Sequence, residues 1–548
     1  MFILKDSYYI EQNNIAQSSK DAFLVKTLVA AFSALLTAVL AAVGLSPLVN
    51  GIVGIVLSVT VFVFCVQEMA DGLVSVFRMH PSNDSFSSVA LIAAAVHSLT
   101  LIIARPEGTL RIFTPVIFAS VAVSMFMKYL FICEIIKNLD LIRDNKTYVV
   151  NTGEVDLQKR LIDRICVVNP VIRFPNVVET TYSGDPSEEK IRVFVPVACG
   201  AILFVSVIIG IFSGFTAFAA SLAALFATAA SFTAEMAFVL PYVAEQRRLR
   251  KLGSVLLGYH SIDVMRDVST LVVSDKDLFP GKYTKMERFR FRNKELMADA
   301  VEFTAALLLA AETPFAKTYA ASTGCDISRL PEVDDWHYMK NYGIQGHIYG
   351  DEVLVGNRNM LLSYEILPLP QETEASLTST NRSILYTAIN GVLVSYTVFS
   401  YMCDPEMKRA AETVGEDFSI IALTNDCNIT ETAVQKLYGL HNTKILIPDE
   451  NEKDRIAEAT KSADEAAELP DMITTKNAIG ILSSVRKAKK LAAAVNISVL
   501  LKTASIILGL VLTAAAFFIN PSLPGALWVF LFNLIWTLPV LFITFVKK

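Results

Sequence analysis

Eight stretches of the chain are apolar on every side, too continuous for the 3.6-residue alternation of a surface helix. Each is long enough, at roughly 20 residues, to cross about 30 Å of hydrocarbon. They cover residues 22–45, 52–66 with its flanks, 86–104, 112–136, 193–215, 216–243, 498–519 and 523–545. The runs group as four, two and two. Between the groups the pattern changes to short apolar segments closed by turn residues, the mark of sheet-containing domains.

The first insertion, 137–192, contains KTYVVNTGEVDL, whose alternation predicts a hairpin turning at Asn151 to Gly153, and SGDPSEEK, a loop. It is predicted to be a small β-rich domain. In the second insertion, TLVVSD (Thr270 to Asp275), SIIALTND (Ser419 to Asp426) and TKILIPD (Thr443 to Asp449) are apolar runs ending in acidic residues. Buried parallel strands have this form, and sites in open α/β sheets gather at the carboxyl ends of such strands. Between the first and second of them lies a unit of different character, with an Ala-rich helix and the strand-turn-strand patterns HIYGDEVLVGN and ILYTAINGVLVSY. A domain inserted into an α/β domain explains this order. The predicted boundaries are 1–136 for the tail and four spans, 137–192 for the β-rich domain and 193–243 for two spans; 244–285 with 401–494 forms the α/β domain, 286–400 the inserted α+β domain and 495–548 the last two spans.

A content of 53% hydrophobic and 18% charged residues excludes an ordinary soluble protein, so the partner most plainly implied is a lipid bilayer. A net charge of −5 offers no basic surface for nucleic acid. Lys and Arg gather after the fourth span and in EQRRLRK after the sixth, placing both insertions in the cytoplasm. An even number of spans then puts both termini there, in a protein expected in the plasma membrane. The opening MFILKDSYYIEQNNIAQSSKD is too polar for a signal peptide. The seven Cys residues form no CxxC pair and imply no disulfide framework.

The stretch EQRRLRKLGSVLLGYHSIDVMRDVSTLVVSDKDLFPGK resembles the stalk helix and phosphorylation strand of P-type ATPases, in their heavy-metal (zinc, cadmium or copper) transporting branch, up to the motif DKTGTLT. The resemblance covers nearly the whole chain. It implies a polytopic α-helical membrane protein with a HAD-like phosphorylation domain, an inserted nucleotide-type domain and a reduced actuator-like domain. It makes Asp275 the counterpart of the phosphorylated Asp and Lys276 its neighbour, with Thr424 and Asp426 in LTNDCNITETA standing for LTGDNxxTA, and Lys453 for the phosphate-binding Lys. The nucleotide positions carried over are Pro314, preceded by Thr313 where the family has His, then Gly343, Gly346, Gly356 and Asn357. Asn341 replaces the first Gly of the family's Gly-x-Gly. In the membrane, Glu235, Lys502 and Asn533 fall where the resemblance implies a metal site.

The departures share one direction. DLFPG replaces TGTLT after Asp275-Lys276, the GDGxND loop whose carboxylates hold Mg2+ is missing, and no Cys-Pro-Cys occurs in the sixth span. The TGE at Thr152 to Glu154 lies too soon after the fourth span to be the family's TGES, and is read as a turn. A scaffold kept while its metal loop, nucleotide contacts and membrane ligands are lost predicts a pseudo-ATPase with a regulatory or scaffold role, partnered by another membrane protein. The alternatives are a cation transporter with divergent motifs, using ATP and Mg2+ and moving a metal ion, or a passive membrane protein whose head senses nucleotide.

Overall fold

The computed structural model describes residues 2–106, 111–144, 148–157, 160–170, 181, 188, 190–412, 418–440, 443–466, 472–475, 477–520 and 525–546. Among them, eight helical spans are long and apolar enough to cross a membrane, at the positions the hydropathy pattern predicts. Helices α1 (Phe2–Val43) and α2 (Pro47–Phe64) come first, followed after a kink at Cys65 by the short α3 (Val66–Phe77). Then come α4 (Ser85–Ala104), α5 (Thr114–Asp144) and α6 (Phe194–Ser213).

The sixth span is broken into α7 (Phe215–Ala229) and α8 (Thr233–Lys251). At the break Ser231 and Thr233 hydroxyls bond each other at 2.9 Å, and Glu235 falls in the first turn of α8. Small side chains set the helix spacing, as is usual where dispersion rather than hydrophobicity drives association. A Cβ at Gly54 would lie 2.3 Å from the Ser98 hydroxyl, so α2 and α4 sit as close as glycine permits.

The extramembrane head holds two sheets. Strands β1 (Tyr148–Leu157), β2 (Arg160–Pro170), β3 (Ser254–Leu256) and β4 (Thr270–Ser274) belong to the first; β5 (Thr284–Phe291), β6 (Asp335–Met339), β7 (Gly343–Ile348), β8 (Asp351–Gly356), β9 (Arg382–Ile389) and β10 (Val392–Tyr401) make the second; β11 (Ser419–Leu423), β12 (Lys444–Leu446) and β13 (Met472–Thr474) return to the first. Its order is β12-β11-β4-β2-β1-β13-β3. The three apolar runs that end in acidic residues are parallel neighbours, with Ser419 opposite Thr270 and Lys444. The second sheet, order β5-β10-β9-β8-β7-β6, is antiparallel throughout and lies in the inserted segment.

Two expectations for the first insertion need revision. Its hairpin forms, but it joins the head's first sheet, β2 running parallel beside β4 and β1 antiparallel beside β13. A buried strand such as β4 needs a partner on both edges; β11 supplies one and β2 the other. The hairpin also does not turn at Asn151 to Gly153, which pair instead with Val167, Cys166 and Ile165 inside the strands. The register shifts between Gly153 and Val155, so this Gly marks a bulge, a common fate of glycine within a strand. The loop SGDPSEEK lies mostly outside the described residues.

The helices that build the site are α9 (Asp275–Leu278), α10 (Met297–Ala310), α11 (Ala316–Thr323), α12 (Arg358–Ser363), α13 (Pro405–Glu412) and α14 (Glu450–Ala466). After β13 the chain enters α15 (Asn477–Ile519), one helix of 43 residues that begins against the first sheet and ends in the membrane, and then α16 (Ala526–Val546). At its start Gly480 packs so closely on the sheet that a Cβ there would lie 2.1 Å from the Thr474 hydroxyl.

Candidate functional site

Strand β4 ends at Ser274, and Asp275 opens the single turn α9, facing the carboxyl end of β11. The structure brings Asp275, Thr424 and Asp426 together. Thr424 Oγ1 donates to Asp275 Oδ2 at 2.8 Å and accepts from the Asp426 amide at 3.0 Å. Tyr401 donates to Asp426 Oδ2, and the Asn428 amide to Asp426 Oδ1 at 2.9 Å. Both carboxylates are buried, Asp275 to 4% exposure and Asp426 to 2%. Burial therefore dominates their acidity. It pushes Asp275 up to about 7, against the Thr424 hydrogen bond and with help from the Asp426 charge, and Asp426 up to about 6.

Among the described residues neither lysine bonds these carboxylates directly. Lys276 makes an exposed ion pair with Glu312 at 2.6 Å. Lys453 donates to Asn425 Oδ1 at 2.6 Å and lies 4.4 Å from the centre of the Tyr338 ring. Its burial lowers its pKa, while Glu450 and Asp275 favour the charged form. Asp404 does not join the pair; its Oδ1 accepts from the Glu406 amide at the start of α13. Among the described residues no three His, Cys, Asp or Glu side chains converge as a metal site.

The inserted domain roofs this cleft. Asn425 Nδ2 donates to the Ala311 carbonyl at 3.0 Å, Lys340 reaches the Ile447 carbonyl, and Tyr338 covers Lys453. Each candidate nucleotide position has a packing role here. Thr313 is buried and its hydroxyl donates to the Leu308 carbonyl at 3.2 Å, while Pro314 stands between α10 and α11. At Gly343, φ is +153° and a Cβ would come within 2.4 Å of Gly356 Cα; at Gly356 it would come within 2.3 Å of Met360 Sδ. The approach of β7 to β8, with Met360 beneath, needs both glycines. Gly346 admits Leu307 of α10, 2.7 Å from where a Cβ would sit. Asn357 caps α12, accepting from the Asn359 amide at 2.9 Å, and donates to the Asn341 carbonyl. Asn341 has a φ of +65°, a left-handed conformation that Asn tolerates better than most residues.

In the membrane each of the three candidate residues has a polar neighbour. Glu235 lies 3.7 Å from Lys128 Nζ of α5, which also bonds Asp84 at the start of α4. Ser124 donates to the other Asp84 oxygen at 3.0 Å. Lys502, buried to 2% exposure, donates to Asn83. Asn533 Nδ2 donates to the Ala227 carbonyl at 3.0 Å, and its Oδ1 has no partner among the described residues. Sequence reasoning passed over Asp84 and Lys128. The signal was there, since Lys128 is a lone cation inside an apolar run and such residues are costly to bury without a role.

Neither a family model nor a curated protein matches the amino-acid sequence. The three-dimensional structure does find counterparts. A zinc-transporting PIB-type ATPase in its E2.Pi state superimposes with a TM-score of 0.50, at 11% identity, over 95% of this chain and 99% of that one. The chain has the fold of a P-type ATPase. A second structure of a zinc-transporting PIB-type ATPase, in a different state, gives 0.49 at 11% identity over 95% and 98%. The catalytic domain of the CPx-ATPase CopB-B gives 0.28 at 18% identity, covering 44% of this chain and 98% of its own. Within this P-type ATPase fold, Asp275, Thr424 and Asp426 occupy the carboxyl ends of two adjacent parallel strands, and the inserted domain closes over them.

Proposed function

We propose that this is a pseudo-ATPase, an integral membrane protein of P-type ATPase fold that does not turn over ATP and serves a regulatory or scaffold role beside another membrane protein. The observation that carries this reading is the closed hydrogen-bond chain from Tyr401 through Asp426 and Thr424 to Asp275. A working site needs an ionised, accessible nucleophile and carboxylates free to hold Mg2+ against the phosphoryl oxygens. Here both carboxylates are buried, their acidity is weakened, and Tyr401 and the Asn428 amide take up the oxygens of Asp426. If Mg2+ and ATP enter, Asp275, Asp426 and Lys453 are the groups that would receive the metal and phosphate. The basic flanks of the spans support a cytoplasmic head with both termini on that side, and we place the protein in the plasma membrane.

A second reading, a transporter of a metal or other cation with divergent motifs, draws on Asp84, Lys128 and Glu235, charged groups that a passive bundle does not need. One experiment separates the two. Purified protein in detergent is incubated with radiolabelled ATP and Mg2+, quenched in acid and tested for a hydroxylamine-labile label. The pseudo-ATPase gives none. A label that depends on Zn2+ or another cation and disappears in Asp275→Asn would establish the transporter instead.

A further inference from the structure

Where the head meets the membrane, a cavity of about 690 Å3 opens between the end of α8, the start of α15 and helix α13 of the head. Five cations line it: Arg248, Arg409, Arg486, Lys487 and Lys490. Glu245 and Glu406 are the acidic residues in the lining among the described residues, which leaves three positive charges in excess among them. Two of the cations already share one carboxylate, since Arg248 bonds Glu245 and Lys487 lies 3.7 Å from its other oxygen. Arg409, Arg486 and Lys490 have no carboxylate partner among the described residues. Like charges gathered around one concavity repel, and a bound anion relieves that repulsion.

A second cavity, of about 210 Å3, adjoins the first, with Glu245 and Lys490 lining both. It is otherwise mostly apolar, bounded by Pro241, Ala493, Ala494 and Ile543 of three membrane helices. Pro241 to Glu245 and Lys490 to Ala494 are each about one helical turn, roughly 6 Å along the axis, so charged and apolar walls succeed one another in the direction of the bilayer normal. A soluble anion would use only the first cavity. A molecule with an anionic head and a hydrocarbon tail uses both.

We propose that these joined cavities bind an anionic phospholipid with more than one negative charge on its headgroup, the phosphate among Arg409, Arg486 and Lys490 and an acyl chain along Ala493 and Ile543. Juxtamembrane basic clusters recognise such lipids electrostatically. Because Arg409 belongs to α13 of the head while Arg486 and Lys490 belong to α15, the bound lipid ties the head to the membrane surface.

The test uses full-length protein in a neutral detergent, titrated calorimetrically with dioctanoyl phosphatidate, dioctanoyl phosphatidylcholine, and glycerol phosphate as the soluble headgroup. Phosphatidate should bind, with phosphatidylcholine and glycerol phosphate at least tenfold weaker. The exposed triple variant Arg409→Gln/Arg486→Gln/Lys490→Gln should lose on the order of a hundredfold in phosphatidate affinity, from the usual contribution of three basic residues near an anionic surface. Ala493→Phe, which fills the apolar cavity and leaves the cations alone, should weaken phosphatidate and spare glycerol phosphate. Glycerol phosphate binding as tightly as phosphatidate would make this a site for soluble phosphate and overturn the lipid assignment. So would phosphatidate affinity unchanged within twofold in the triple variant, or no phosphatidate binding at all.

Discussion

Replacing Asp275 by Asn should stabilise the head at alkaline pH, because it removes a buried charge. Asp275 titrates near 7 in the folded protein against 3.8 for an ordinary Asp, with burial the main cause. Between those values the folded chain holds a proton that the unfolded chain has released. Stability therefore falls as pH rises through that window, and the whole penalty is present above pH 7. At 1.36 kcal/mol per pK unit the ceiling is roughly 4 kcal/mol. Asn removes this penalty and keeps an oxygen to accept from Thr424, but it brings an amide group that must find a partner, at a cost of about 1–2 kcal/mol. The net gain is about 2 kcal/mol at pH 8, or roughly 4–8 °C in Tm for a unit of this size, and turns into a loss of about 1 kcal/mol at pH 4, where the charge penalty is absent and the amide cost is not. Thermal unfolding followed by Trp336 fluorescence would measure it, in a background where Trp528 and Trp536 are changed to Phe so that only the head reports. An Asp275→Asn protein that melts at or below the parent at pH 8, or with a difference independent of pH, would refute the reasoning.

Gly343→Ala should destabilise the inserted domain by about 3 kcal/mol or more, because its Cβ would collide with backbone at 2.4 Å on both Gly356 and Val355, and the same fluorescence melt would record it. Lys128→Met should cost about 3–5 kcal/mol by removing the one cation that lies against both Asp84 and Glu235 in these bonds, seen as loss of monodisperse protein by size-exclusion chromatography. Adding Asp84→Asn and Glu235→Gln should restore most of it; failure of the triple variant to recover would mean that Lys128 acts through packing rather than charge.

Hydropathy located all eight spans because a bilayer imposes one requirement on every residue that crosses it. The meeting of Asp275 with Thr424 and Asp426 was legible as well, since TLVVSD and SIIALTND read as buried strands whose carboxyl ends face one crevice and the motif resemblance names the same residues. The placement of the first hairpin was not. Alternation predicts a strand and says nothing of which sheet edge receives it, and Gly153 suits a bulge as well as a turn. Charge partners were also hidden: Lys128 lies 44 residues from Asp84 and Lys502 lies 419 from Asn83, separations that no local period reports. The nucleotide-type glycines were found by motif, but steric contact with Gly356, Met360 and Leu307 accounts for them in the folded chain.

Helix α15 runs unbroken for 43 residues, about 64 Å at 1.5 Å per residue, with no proline along it, while α8 beside it carries Pro241. The two therefore differ in stiffness. A continuous helix packed at one end through Gly480 against the sheet links the head to its bilayer segment more stiffly than a kinked one. The neighbouring helix lacks one backbone bond at Pro241 and bends there first. A head motion that strains both helices is then taken up at Pro241 before it is taken up in α15, so the gap between them at the membrane surface changes on the α8 side.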